Sequence, residues 1–267
     1  MDSAWHDAHN AHLYEDYAQT YSIYRETATK LVELANVTVG MTIVDLACGT
    51  GIVIEQLQAK LAGTGNIIGV DLSQAMLDIA RAKFPALQFL QSPAERLHEV
   101  LPAGSADLLL CNSAFWQMKP RVTATVVQQI LKPDAKFLFN VPATMQMSMS
   151  HPDFTHSLLH LMYEIAREEY SYVPPPSQRR LTFSTAEITD LLRNADFTHI
   201  TQETVHFTKT MQDIYTFYKI PIMTQGQFPD LDYATRAEIV EKAYQRYDTA
   251  QSEDIAWTYY SAQKRVA

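Results

Sequence analysis

The 267-residue chain reads as an α/β protein, an open and mostly parallel sheet with a helical addition. Three observations carry that reading. Apolar runs alternate with helical patterns from residue 42 to residue 141, as in βαβ units laid on a parallel sheet. The first run, Val44-Asp45-Leu46, leads into Ala47-Cys48-Gly49-Thr50-Gly51, a turn where glycine lets the backbone come close to a ligand. The second run closes on Gly69-Val70-Asp71, another carboxylate at a strand end, and ligands of open α/β sheets sit at that edge.

The elements follow in order. Strands are expected at 42–47, 66–71, 87–91, 106–112 and 136–141, with helices at 51–62, 73–83 and 120–131 between them. Ser73 suits an N-cap and Pro120 the first turn of a helix. An amphipathic helix is expected over 21–36. A helix at 185–195 and strands at 199–207 and 255–262 complete seven strands. We therefore expect a single domain over 1–267, its core made of 37–141, 184–207 and 255–267. Segments 142–183 and 208–254 exceed what the sheet needs, and long connections are usually lids or binding loops. With residues 1–36 they are expected to form a helical cap; ordinary helical decoration, or a homodimer surface in the cap, stays open. The first of them carries Met145, Met147 and Met149, a helical pattern near 154–170 and the turn Pro174-Pro175-Pro176.

A net charge of -9 argues against a surface that neutralises phosphates, so nucleic acid is not an expected partner. The two cysteines, Cys48 in the turn and Cys111 at the end of an apolar strand, suit a reducing compartment better than a disulfide framework. The N-terminus shows no export signal, and no apolar run reaches membrane-spanning length; a cytoplasmic location without membrane partners is the expectation.

The two linked motifs, Asp45-Leu46-Ala47-Cys48-Gly49-Thr50-Gly51 and Asp71-Leu72-Ser73 with Met76-Leu77, resemble D-x-x-C-G-T-G and D-x-S-x-x-M-L of class I S-adenosylmethionine-dependent methyltransferases of the small-molecule, UbiE-like type. A nicotinamide dehydrogenase would need a third glycine at Ile54 to complete G-x-G-x-x-G; S-adenosylmethionine has no phosphate to bind. The resemblance covers roughly the first 140 residues well and the rest in outline. It implies a Rossmann-like, seven-stranded, mostly parallel sheet of order 3-2-1-4-5-7-6 with helices on both faces and an antiparallel last strand. It also implies S-adenosylmethionine as cofactor and a small, apolar or aromatic methyl acceptor.

The same resemblance assigns residues. Asp45 would orient the turn and the methionine end of the cofactor; Ala47, Cys48, Gly49, Thr50 and Gly51 would bring backbone against it; Asp71 would hold the ribose. Leu72 and Met76 would enclose the adenine, Met by its adaptable packing. The third motif reads Ser92-Pro93-Ala94-Glu95, in which Pro93 replaces a carboxylate that often meets the adenine amino group. Ala94 can still donate its N–H to the ring, and Glu95 is placed to cap the next helix. Tyr21 and Arg25 match the Tyr and Arg of an N-terminal segment folding over the methionine end, and Tyr14 in that segment is a candidate acceptor contact. Asn112 is the polar group expected nearest the methionine moiety. Phe115 and Trp116 stand where many members carry two histidines, either as an apolar or cation–π wall for the acceptor or as core filling.

Methyl transfer from a sulfonium is an in-line displacement, so alignment in a dry cavity carries most of the rate, worth roughly 7–11 kcal/mol, and no nucleophile triad is expected. His151 and His156 are candidate general bases. His156 and His160 lie four apart without the Glu of H-E-x-x-H, and His6, His9 and His12 suit a solvated helix face, so no metal is expected. Two other readings stay open: a cyclase or pericyclase that keeps the cofactor without transferring methyl, and a non-catalytic binding protein with a degenerate site.

Overall fold

In the computed structural model, which describes residues 5–62, 64–143, 157–173, 184–247 and 252–266, the apolar runs become a seven-stranded sheet of order 3-2-1-4-5-7-6 flanked by helices. Its strands are β1 (Thr42–Leu46), β2 (Asn66–Asp71), β3 (Gln88–Gln91), β4 (Ala106–Cys111), β5 (Leu131–Pro142), β6 (Phe197–Thr210) and β7 (Ser252–Lys264). β1 to β5 pair in parallel, and β7 runs antiparallel to β5 with Phe139 opposite Tyr260. The central strands are buried on both sides, which is why Thr42–Leu46 and Ala106–Cys111 read as near-continuous apolar runs rather than alternating ones.

The helices are α1 (Ala8–Thr20), α2 (Ile23–Ala35), α3 (Ile52–Leu61), α4 (Gln74–Lys83), α5 (Pro120–Ile130), α6 (Leu158–Tyr170), α7 (Thr185–Asn194), α8 (Met211–Tyr218), α9 (Pro221–Gln225) and α10 (Tyr233–Arg246). Ser73 caps α4 through a hydrogen bond from the Met76 N–H, and Pro120 opens α5, both as the sequence signals require. Tyr21 adopts an extended conformation, so the helix expected over 21–36 begins at Ile23 and runs to Ala35, with the separate helix α1 before it. Two 3₁₀ turns, Ala94–Glu99 and Phe115–Gln117, follow β3 and β4.

Contacts divide the chain into two compact units: Met1–Tyr21, Ala143–Ser184 and His206–Ala256 form the first, and Ser22–Pro142, Thr185–Val205 and Trp257–Ala267 the second. The second contains β1 to β5. Helix α2, expected with the cap, packs on α3 and β5 within it. The first unit has an apolar core of its own, in which Met162 and Ile165 of α6 meet Phe228 and Ile239.

Candidate functional site

The β1 turn owes its shape to left-handed backbone. Gly49 and Gly51 have φ of 54° and 94°, and Ala47, where the broader family pattern has its first glycine, is held at 57°. Gly51 is doubly required: a Cβ there would lie 2.6 Å from Cε2 of Phe84, the residue ending α4. Gly69 of β2, opposite Asp45 in the register, is closed in as well, since its Cβ would meet the Phe89 ring at 2.6 Å and Cys48 Sγ at 3.0 Å. Neither ring was singled out by the sequence reading.

Asp71 ties the two turns together. Its Oδ2 accepts from the Gly49 N–H at 2.8 Å and its Oδ1 from the Ser73 N–H at 2.8 Å, while its carbonyl accepts from the Ser92 N–H. The Cys48 N–H donates to the Val70 carbonyl, fastening the β1 turn to β2. Asp45 is fully buried, and neither carboxylate oxygen has a hydrogen-bond partner among the described residues. Burial, then the negative charge of Asp71, pushes its carboxyl well above the usual carboxylate range. The Thr50 hydroxyl is likewise buried without a partner among the described residues. The Cys48 and Cys111 thiols are pushed up by burial and by the two carboxylates, so they are protonated at neutral pH and not nucleophiles.

Leu72 is half-buried and Met76 only 3 % exposed, so of the two expected adenine contacts Leu72 is the more accessible. Ala94 is buried in the turn after β3. Glu95, expected to cap the next helix, has its Oε1 accepting at 2.8 Å from the N–H of Lys119, the N-cap of α5. Phe115, expected to line the acceptor site or fill the core, does the latter; it is 2 % exposed, with its ring 4.2 Å from that of Phe139 and 5.6 Å from that of Phe137. Trp116 beside it is half-buried.

Asn112 is drawn into a polar network that the sequence reading missed. Its Oδ1 accepts from Asn140 Nδ2 at 2.7 Å and its Nδ2 donates to Thr27 Oγ1 at 3.3 Å. Asn140 Oδ1 accepts from the Ser113 N–H at 2.6 Å, and Trp257 Nε1 donates to Ser113 Oγ at 3.0 Å. The signal was an asparagine closing the apolar run Phe137-Leu138-Phe139-Asn140 at the ligand-side edge of the sheet. Arg25 pairs with Glu55 of α3 at 3.6 Å. Tyr14 and Tyr21 belong to the first unit, Tyr14 edge-on to Trp5 and Tyr21 stacked on Tyr17. His151 and His156 lie outside the described residues. Among the described residues no group of His, Cys, Asp or Glu could hold a metal, and no helix is long and apolar enough to cross a membrane.

A Gly-rich turn after β1 and a carboxylate closing β2, on a sheet of this order, match the Rossmann-like fold of class I methyltransferases. Residues 43–134 match the family described as methyltransferase domain. It is 32% identical over 110 residues to a demethylmenaquinone methyltransferase of Symbiobacterium thermophilum, covering 37% of this chain and 41% of that protein. To a malonyl-[acyl-carrier protein] O-methyltransferase of Yersinia pestis it is 30% identical over 130 residues, 48% of this chain and 47% of the relative. The chain thus spans about half the length, or less, of these curated relatives. Among solved structures, phosphoethanolamine N-methyltransferase 2 of Haemonchus contortus in complex with S-adenosyl-L-methionine superposes with a TM-score of 0.57 at 13% identity, covering 90% of this chain and 53% of that one. At that identity the likeness is one of fold.

Proposed function

We propose that the chain is an S-adenosylmethionine-dependent methyltransferase acting on a small, apolar or aromatic metabolite. The observation that carries this reading is Asp45: a fully buried carboxyl beside a glycine turn, with no hydrogen-bond partner among the described residues, carries its charge at low cost only where a ligand supplies a cation or donors. The residues present fit the cofactor. Its ammonium group suits the Asp45 carboxyl, and its ribose hydroxyls suit the Asp71 carboxylate, an acceptor-only group at the end of β2. Leu72 and the Ala94 turn receive the adenine.

When bound, the cofactor supplies an electrophilic methyl group on a positively charged sulfur. What this chain does is position and exclude. The glycines bring the turn backbone against the cofactor, and the segment after β4 carries Trp116 toward the acceptor role. Protonated Cys48 and Cys111 leave the sulfonium without a competing nucleophile. Segments 142–183 and 208–254 are candidates for acceptor binding, and His151 or His156 for a proton acceptor where the substrate needs one. The relatives that methylate demethylmenaquinone and the malonyl group of an acyl carrier support a metabolic acceptor, and the net charge of -9 a non-nucleic one.

Calorimetry with S-adenosylmethionine tests the cofactor assignment. Asp71→Ala removes a charged acceptor worth about 1.5–3 kcal/mol and should weaken binding at least tenfold. Unchanged affinity in a folded variant would sink the role of this carboxylate. Incubation of pooled metabolites with enzyme and isotope-labelled cofactor should then yield a product heavier by one methyl group.

A further inference from the structure

The segment between β4 and α5 is pinned at both ends by side chains from other elements. At its start, Asn140 of β5, wholly buried, accepts from the Ser113 N–H at 2.6 Å, and the amide is held in turn by Asn112. Ser113 itself sits at φ 54°, a left-handed conformation that this grip maintains. At its end, Glu95 accepts from the Lys119 N–H at 2.8 Å. Lys119 is the N-cap of α5, where the first N–H groups lack helical partners and negative charge is favoured. Glu95 therefore does from another element what a capping-box residue does from within a helix.

The two ends differ in what they hang on. Asn140 belongs to a central strand. Glu95 follows Ala94 directly, and both lie in the turn after β3, whose Ser92 N–H is bonded to the carbonyl of Asp71. We propose that Glu95 is a positioning residue that transmits cofactor occupancy to the segment 113–119, so that filling the adenine site orders the strand-four exit carrying Trp116. This rests on the cofactor reading given above. The turn after β3 packs against α5, and the Glu95 to Lys119 hydrogen bond adds to that packing a directed tie to the end of the segment. A ligand that binds the ordered state of the turn more tightly thereby favours the ordered state of the segment, and an acceptor held by that segment favours cofactor binding in return.

Hydrogen–deuterium exchange of the whole protein, with and without S-adenosylhomocysteine, separates the possibilities. In the wild type the ligand should slow exchange at least threefold both at the glycine turn, 47–51, and across 113–119. Glu95→Ala should keep the protection at 47–51 and lose it at 113–119. Glu95→Gln, which still presents a side-chain oxygen to Lys119, should retain more than half of it. A merely structural cap would loosen 113–119 in the free and bound protein alike, leaving the ligand-induced difference intact; that result, or protection at 47–51 without any at 113–119 in the wild type, would overturn the proposal. Absence of protection at 47–51 in the wild type would instead overturn the cofactor reading on which it rests.

Discussion

Asp45 is the residue at which folding and function oppose one another. In the folded chain its carboxyl is pushed upward by burial and by Asp71, whereas in the unfolded chain it titrates as an ordinary carboxylate. The folded state therefore holds a proton that the unfolded state releases, and stability falls as pH rises from the usual carboxylate range to the raised folded value. Above that value the loss is complete. Asparagine has nearly the same shape and no charge to bury, so Asp45→Asn should stabilise the ligand-free protein at pH 8. A buried group without a partner costs about 1–3 kcal/mol, which corresponds to a rise in Tm on the order of 2–10 °C. The difference between variant and wild type should vanish below about pH 3, where both states of the wild type are protonated. A difference that stayed flat with pH would show that Asp45 keeps its charge when folded. The same variant should bind S-adenosylmethionine more weakly, because activity here depends on a group that stability disfavours.

At the scale of elements, the two glycines at the β1 and β2 ends fail for different reasons when given a side chain. Gly69 has an ordinary backbone, and its obstacle is the Phe89 ring at 2.6 Å. Gly69→Ala should cost about 1–3 kcal/mol as overpacking, and Phe89→Leu should recover part of it, a coupling readable in a double-mutant cycle of urea midpoints. Gly51 faces the Phe84 ring at the same distance but also has φ of 94°. Gly51→Ala should be more damaging, and Phe84→Leu should not rescue it, since backbone strain remains. Equal rescue at both sites would remove the conformational argument for Gly51.

How much of this was legible in the sequence divides along the same line. The glycine turn, the carboxylates and the N-cap at Ser73 are signals within a few residues, and the apolar runs fixed which segments are strands. The strand order came only through the resemblance to a family. What partners a side chain across many residues was not legible: the Ser113 to Asn140 bond spans 27 positions, and the Asn112 to Thr27 bond 85. Phe115 could be read as wall or filler until Phe137 and Phe139 were seen against it. The helix expected from residue 21 starts two residues later because Tyr17, Tyr21 and Tyr24 keep a helical spacing through Tyr21 and Ser22, where the backbone does not.

For the whole molecule, the question is whether its two compact units behave as one cooperative body. The carboxylates and glycines of the proposed cofactor site all belong to the second unit, while the first has an apolar core of its own and could in principle unfold separately. Two strands argue against separate unfolding. β6 and β7 each begin in one unit and end in the other, as the boundaries after Val205 and Ala256 fall inside Phe197–Thr210 and Ser252–Lys264. Melting either unit alone would end a hydrogen-bonded ladder partway along both strands. Scanning calorimetry should accordingly give a single endotherm. S-adenosylhomocysteine at a hundred times its Kd should stabilise the folded state by about 2.7 kcal/mol, and for a chain of this size the whole endotherm should move up by roughly 5–10 °C. Two endotherms of which only one moves with ligand would mean that the shared strands do not couple the units, and the moving one would then belong to the unit holding Asp45 and Asp71.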